Sequence, residues 1–234
     1  MCIRFERIHT VLIIGLLVFA NINIAKGQDN LPLRLKSKPV GVIYQKNRSQ
    51  KGSELLFDSW NKGEITFSDS QTIEHIDINF NAYSNDLFYA INGNTAVVVS
   101  KFQYASFKIY SEGQCREFVK ISDTLIDVTA NTPTILEVLH SGNIKAYANR
   151  KFKVNYTLMK NNPFGQSVYY LEESYYVIVE DELITSPQNI RSYYKFYDKA
   201  IIKQIAKSHK LNLKVEEELI SFLNILDSKF KSKI

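Results

Sequence analysis

INFNAYSNDLFYAINGNTAVVVS, residues 78–100, reads as short strands joined by tight turns. Ile73, Ile76, Ile78 and Phe80 mostly alternate with Asp77 and Asn79, the period-two pattern of a half-buried strand. Ser84, Asn85 and Asp86 supply turn residues before the apolar run 87–91. Asn92 and Gly93 then stand between two strand-like runs. Both tolerate positive φ, so the pair predicts a type I′ hairpin turn onto a strand over 95–100.

Further strands are expected at 40–44, 64–67, 102–110, 116–121, 125–128, 143–148, 151–158, 168–171 and 175–179. Strands at this spacing predict an antiparallel sandwich, or a curved sheet or half-barrel. One helix is expected within this region, over 133–140, where Thr132 would cap and Ile135, Leu136 and Leu139 would share a face.

After Ile184 the hydrophobic period lengthens to that of helices. Ser186 and Pro187 form a helix-start pair, and Asp198 can cap a helix carrying Ile201, Ile202 and Ile205. Glu216, Glu217 and Glu218 suit the first turn of a third helix, with Leu219, Phe222, Leu223 and Leu226 as its apolar stripe. The fold class is therefore mainly β (α+β) with a short C-terminal helical segment.

The first 27 residues have another character. Arg4 and Arg7 precede an apolar run over 11–22, followed by Ala25, Lys26 and Gly27, the three-part pattern of a secretory signal peptide. Twelve helical residues reach about 18 Å, short of a hydrocarbon core of about 30 Å. Division of the chain follows as a signal peptide (1–27), a polar lead-in (28–52), an antiparallel β domain (53–185) and helices packed on it (186–234). Cleavage after Gly27 would remove three cations and one anion and lower the net charge from +5 to +3. It would also leave Cys115 as the sole cysteine, so no internal disulfide can form. The expected location is periplasmic or extracellular, with no transmembrane segment in the mature chain. So small a charge does not point to nucleic acid.

The nine glycines are never closer than eleven residues. A P-loop, a dinucleotide fingerprint and the Gly-x-Ser-x-Gly elbow all need closer pairs, so all three are excluded. His75, His140 and His209 are too scattered for a local pair of zinc ligands, and no calcium-loop run exists. Cys115, between Gln114 and Arg116, is expected as a small buried hydrophobe and not as a nucleophile served by His140 or His209. Two acidic clusters, Glu172-Glu173 and Glu180-Asp181-Glu182, are expected in turns as solvated charges.

The segment FDSWNKGEITFSD (57–69), followed by 78–93 and by the tail 192–226, resembles a widespread family of secreted Bacteroidetes proteins. That family pairs a Phe…Gly-x-Ile/Val-x-Phe opening with an asparagine-rich strand and an Asn-Gly turn. The resemblance implies export and a β-rich fold, and implies no activity. This chain keeps Trp60 and Gly63 and lacks a Tyr-Tyr-Asn ending.

The candidate binding surface is aromatic: Trp60 with Tyr169, Tyr170, Tyr175 and Tyr176. Tyrosine combines a flat apolar face with a polar tip, which suits glycan or protein recognition. Each Tyr-Tyr pair would put one ring on either face of a strand. The leading expectation is a non-enzymatic binding protein with no cofactor and no metal, its partner an envelope protein, a glycan or an apolar ligand. A carrier of a lipid or other apolar ligand, and a hydrolase with a non-local acidic site, are the alternatives.

Overall fold

A computed structural model describes residues 41–44, 53–92, 95–121, 133–155 and 169–230. The signal segment, the strand expected over 125–128 and nearly all of the polar lead-in lie outside them. Residues 39–234 form one compact unit.

Among the described residues there are eleven strands: β1 (Gly41–Tyr44), β2 (Asn61–Phe67), β3 (Thr72–Asn81), β4 (Asp86–Asn92), β5 (Thr95–Val99), β6 (Tyr104–Ser111), β7 (Gln114–Ile121), β8 (Thr134–Ser141), β9 (Ile144–Val154), β10 (Tyr169–Val179) and β11 (Glu182–Ile184). A 3₁₀ segment (Ile190–Lys195) and two helices, α1 (Lys199–Ser208) and α2 (Glu216–Phe230), follow. All strands join one antiparallel sheet in the order β1-β5-β4-β3-β2-β6-β7-β8-β9-β10-β11. Two meanders grow in opposite directions from the β2–β6 pair, with Ile65 opposite Phe107.

The sheet is single and open, so of the two architectures expected the curved sheet stands and the sandwich does not. Its curl can be measured. Strands β3 and β9 lie five places apart, which in a flat sheet means about 24 Å. Yet the Phe152 N–H on β9 donates to the carbonyl of Ala82, just past β3, at 3.0 Å.

Register places Ile78, Tyr89, Ile65, Phe107, Phe118 and Ile135 on the inner face, and all are buried. Phe107 and Phe118 stack with centroids 4.8 Å apart, and Phe80 packs tilted on both. Phe57 completes this first core from the segment before β2. A Cβ on Gly63 would overlap Ile78 Cδ1 and the Lys108 carbonyl oxygen, so only glycine lets β2 sit this close to its neighbours.

A second core continues on the same face. Ile144, Ala146, Val177, Val179 and Ile184 of the sheet meet Ile202 and Ile205 of α1 and Leu219, Phe222, Leu223 and Leu226 of α2. Asp198 caps α1 as expected, its Oδ1 accepting the Ala200 and Ile201 N–H groups at 2.7 and 3.2 Å.

Three sequence expectations need correction. Where a helix is expected over 133–140, the chain forms strand β8 (Thr134–Ser141). Ile135 faces inward while Leu136 is buried on the opposite face, so the strand shows no alternation and its apolar spacing imitates a helical face. Ser186-Pro187 opens a turn closed by the Asn189 N–H on the Ser186 carbonyl, and the 3₁₀ segment is capped by Asn189. Proline at the second position suits such a turn as well as a helix start. The pairs expected as four strands, at 143–148 and 151–158 and at 168–171 and 175–179, are two long ones, β9 and β10. The polar residues that looked like breaks face each other: Asn149 opposite Ser174, Arg150 opposite Glu173, Lys151 opposite Glu172.

Candidate functional site

A charged seam runs between the two cores on the inner face. Phe118 pairs with Glu137 and Glu137 with Ala148, so Arg116 and Arg150 stand at the diagonal positions on either side of Glu137. Arg116 grips Glu137 in a fork, Nε to Oε1 at 2.5 Å and Nη2 to Oε2 at 2.6 Å. Its guanidinium also lies 5.1 Å from the Phe57 ring centroid. Arg150, only 6% exposed, spends each face of its fork on a different carboxylate. Nε donates to Glu137 at 2.6 Å, Nη1 to Glu173 on β10 and Nη2 to Glu216 on α2 at 2.7 Å. One guanidinium thus ties three strands and a helix together. Tyr175 closes the seam, its hydroxyl donating to Glu173 at 3.2 Å.

The electrostatics of the seam follow from its pairing. Burial pushes the Glu137 carboxyl up, but the two guanidiniums outweigh it and hold the group below the ordinary carboxylate range. Arg150 moves upward, because its carboxylate partners overcome the cost of burial. Burial, with Glu216 and Glu173 alongside, raises the Tyr175 hydroxyl. Every shift moves away from neutral pH and locks its group in one state. A general acid or base needs the reverse. By its geometry the seam ties β8, β9, β10 and α2 together.

A second tether joins α2 to the turn between β8 and β9. His140 Nε2 lies 3.5 Å from Asp227 Oδ2, both side chains nearly buried, and Asp227 accepts the Asn143 N–H at 3.1 Å. A Cβ on Gly142 would overlap that carboxylate. Among the described residues, no three His, Cys, Asp or Glu side chains gather as a metal site. No helix among them is long and apolar enough to cross a membrane.

The expected aromatic surface is divided. Trp60 is half-buried just before β2. Tyr169 and Tyr175 share the inner face, six residues and about 20 Å apart along β10. Tyr170 and Tyr176 point outward, Tyr176 beside Tyr147 and Tyr170 beside Lys153. The structure instead gathers Tyr83, Phe152, Tyr169 and Leu171 into an aromatic rim. The Tyr83 and Tyr169 rings meet edge-on at 5.4 Å, Phe152 and Tyr169 at 6.5 Å, and Leu171 lies opposite Phe152. Tyr83 is 44% exposed and Leu171 40%. Glu54 underpins the rim, taking the Tyr169 hydroxyl at 2.9 Å and the Asn81 amide at 3.0 Å.

Cys115 is exposed, against the expectation of burial. It pairs with Tyr110 on the outer face, next to a turn whose Glu112 and Gly113 both have positive φ. Neither histidine named with it serves it, since His140 faces Asp227 and His209 caps the end of α1. Of the acidic clusters, Glu180 and Asp181 form the β10–β11 turn with positive φ at both residues, as expected of solvated turn charges, whereas Glu182 lies in β11 and holds Lys195. Glu172 and Glu173 do not form a turn. They lie within β10, where Glu173 holds Arg150.

Sequence reasoning missed Glu137, Arg150 and the rim residues Tyr83, Phe152 and Leu171. Only an arginine set among small and apolar residues in Ala146-Tyr147-Ala148-Asn149-Arg150 hinted at a buried cation. Compared with protein-family models, with curated proteins and with solved structures, the chain matches none.

Proposed function

We propose that the protein is an exported, non-enzymatic binding protein that engages an envelope protein or a glycan at its aromatic rim. The carrying observation is the exposure of Tyr83 and Leu171 around Phe152 and Tyr169, where the curl of the sheet is pinned by a backbone hydrogen bond. Aromatic side chains held on a rigid frame offer contact area at little cost in conformational entropy. Export is supported by the signal pattern of residues 1–27 and by the family resemblance. An apolar-ligand carrier has less support, because Phe57, Phe80, Phe107, Phe118 and the α2 stripe fill the inner face themselves.

The test has two parts. The protein is expected outside the cytoplasm and beginning at Gln28; its retention in the cytoplasm would reject export, and an intact N-terminus would reject cleavage. A partner crosslinked in the native host and then purified is expected to bind the Tyr83→Ala/Leu171→Ala variant at least tenfold more weakly. Since both side chains are surface groups, folding stability should change by no more than about 1 kcal/mol. Equal affinity of wild type and variant would reject the rim.

A further inference from the structure

A net charge of +5 conceals a sharp segregation. Residues 190–214 alone carry seven cations, Arg191 with Lys195, Lys199, Lys203, Lys207, Lys210 and Lys214, against one carboxylate, Asp198. Three of these, Lys199, Lys203 and Lys207, recur every fourth residue along α1. They form one row about 12 Å long, and Lys210 and Lys214 follow in the segment after the helix end.

All five lysines are exposed, and none takes part in an ion pair among the described residues. The neighbouring carboxylates are mostly engaged elsewhere. Asp198 caps α1, Glu182 holds Lys195, Glu216 holds Arg150 and Glu218 accepts the Asn212 N–H. Like charges four residues apart repel along a helix, and the local compensation is limited to Lys199, 5.8 Å from the Tyr194 ring centroid, and Lys207, in the last turn where a cation suits the dipole. The opposite face of α1 is already used: Ile202 and Ile205 are buried in the second core. The helix can offer a partner its charge but not its apolar face.

We propose that the lysine face of α1 docks the protein on a membrane surface rich in anionic phospholipid headgroups. Specific protein interfaces are depleted in lysine and anchored by aromatic side chains and arginine, which this row does not offer. Sequence-reading nucleic-acid sites rely on arginine forks and on amides aimed at base edges, also missing from the row. A plane of mobile anionic headgroups requires no shape match, only clustered charge, and each lysine near it strengthens binding about fivefold. Because the apolar face is sequestered, adsorption is electrostatic, without insertion. The proposal does not depend on the aromatic rim. The second core involves Val177 and Val179, eight and ten residues along β10 from Tyr169 of the rim, about 26–33 Å.

The test is sedimentation of the protein, in the form cells process, with vesicles of pure phosphatidylcholine or of phosphatidylcholine with about a third phosphatidylglycerol. Expected is binding to the anionic vesicles well above the zwitterionic background, abolished by 0.5 M salt as screening predicts. Lys199→Gln/Lys203→Gln/Lys207→Gln should weaken it about a hundredfold. A control with the same charge change on the sheet, Lys108→Gln/Lys145→Gln/Lys151→Gln, should retain most of it. Circular dichroism checks that both variants fold. Equal binding to the two vesicle types, or equal loss in both triple variants, overturns the proposal. So does binding to duplex DNA without binding to vesicles, which would give the face to nucleic acid.

Discussion

Arg150→Ala is expected to lower stability by about 3–5 kcal/mol, because it takes one of two guanidiniums from the buried Glu137 and leaves Glu173 and Glu216 without their ion-pair partner beside an empty buried site. Urea unfolding at pH 7 reads this as a lower midpoint with an unchanged slope. Arg150→Lys should fall between, since an ammonium keeps the charge but cannot fork toward three carboxylates. Arg150→Met combined with Glu137→Gln should recover part of the loss, because the penalty comes from unpaired charge and not from missing volume.

The pH dependence has a definite sign. Glu137 lies below its ordinary value in the folded state, so the unfolded chain binds its proton at higher pH than the folded chain. Its contribution is complete above the ordinary carboxylate value of about 4.3 and disappears as pH falls through the folded value. The gap between wild type and Arg150→Ala should therefore narrow below about pH 4. A gap under about 1 kcal/mol that ignores pH would show that the seam does not hold the fold together.

Phe118→Ala should cost about as much, 3–5 kcal/mol, by a different route. Its ring is fully buried, stacked on Phe107 and 5.3 Å from Phe80, with the Arg116 guanidinium 5.8 Å from its centroid. Truncation leaves a cavity walled by strands from both meanders, which cannot collapse without bending the sheet. Phe118→Leu, which keeps most of the volume, should cost clearly less. Phe118→Ala and Arg150→Ala should not add simply, since Arg116 touches both Phe118 and Glu137. A loss below about 1.5 kcal/mol for Phe118→Ala, read from thermal and urea unfolding together, would mean that the first core is not the tight stack it presents.

How much was legible varied with the kind of signal. The strands around 78–100 could be read because each carries its own pattern and its own turn residues. The start of α1 was equally local, since Asp198 caps the backbone within its own helix. Strand β8 was misread because both its faces are buried, which erases the alternation that identifies a strand. The lengths of β9 and β10 were misread for the complementary reason. Arg150 and Glu173 look like loop residues one at a time and make sense only opposite each other. The aromatic reading of the sequence shares only Tyr169 with the rim. It could not include Tyr83, which follows β3 and meets Tyr169 only when the sheet curls.

By itself the sequence determined the strand-then-helix order, the Asp198 cap, and the absence of glycine-rich phosphate loops, because these depend on neighbours within a few residues. It also carried the lysine row, since helical spacing alone aligns those side chains. Only the tertiary structure decided that one sheet curls instead of two stacking, that Arg150 is the knot between its cores, and that the rim is built from β9, β10 and the turn after β3. Those outcomes depend on register between segments tens of residues apart, and register is set by which buried charges and rings can satisfy one another at once.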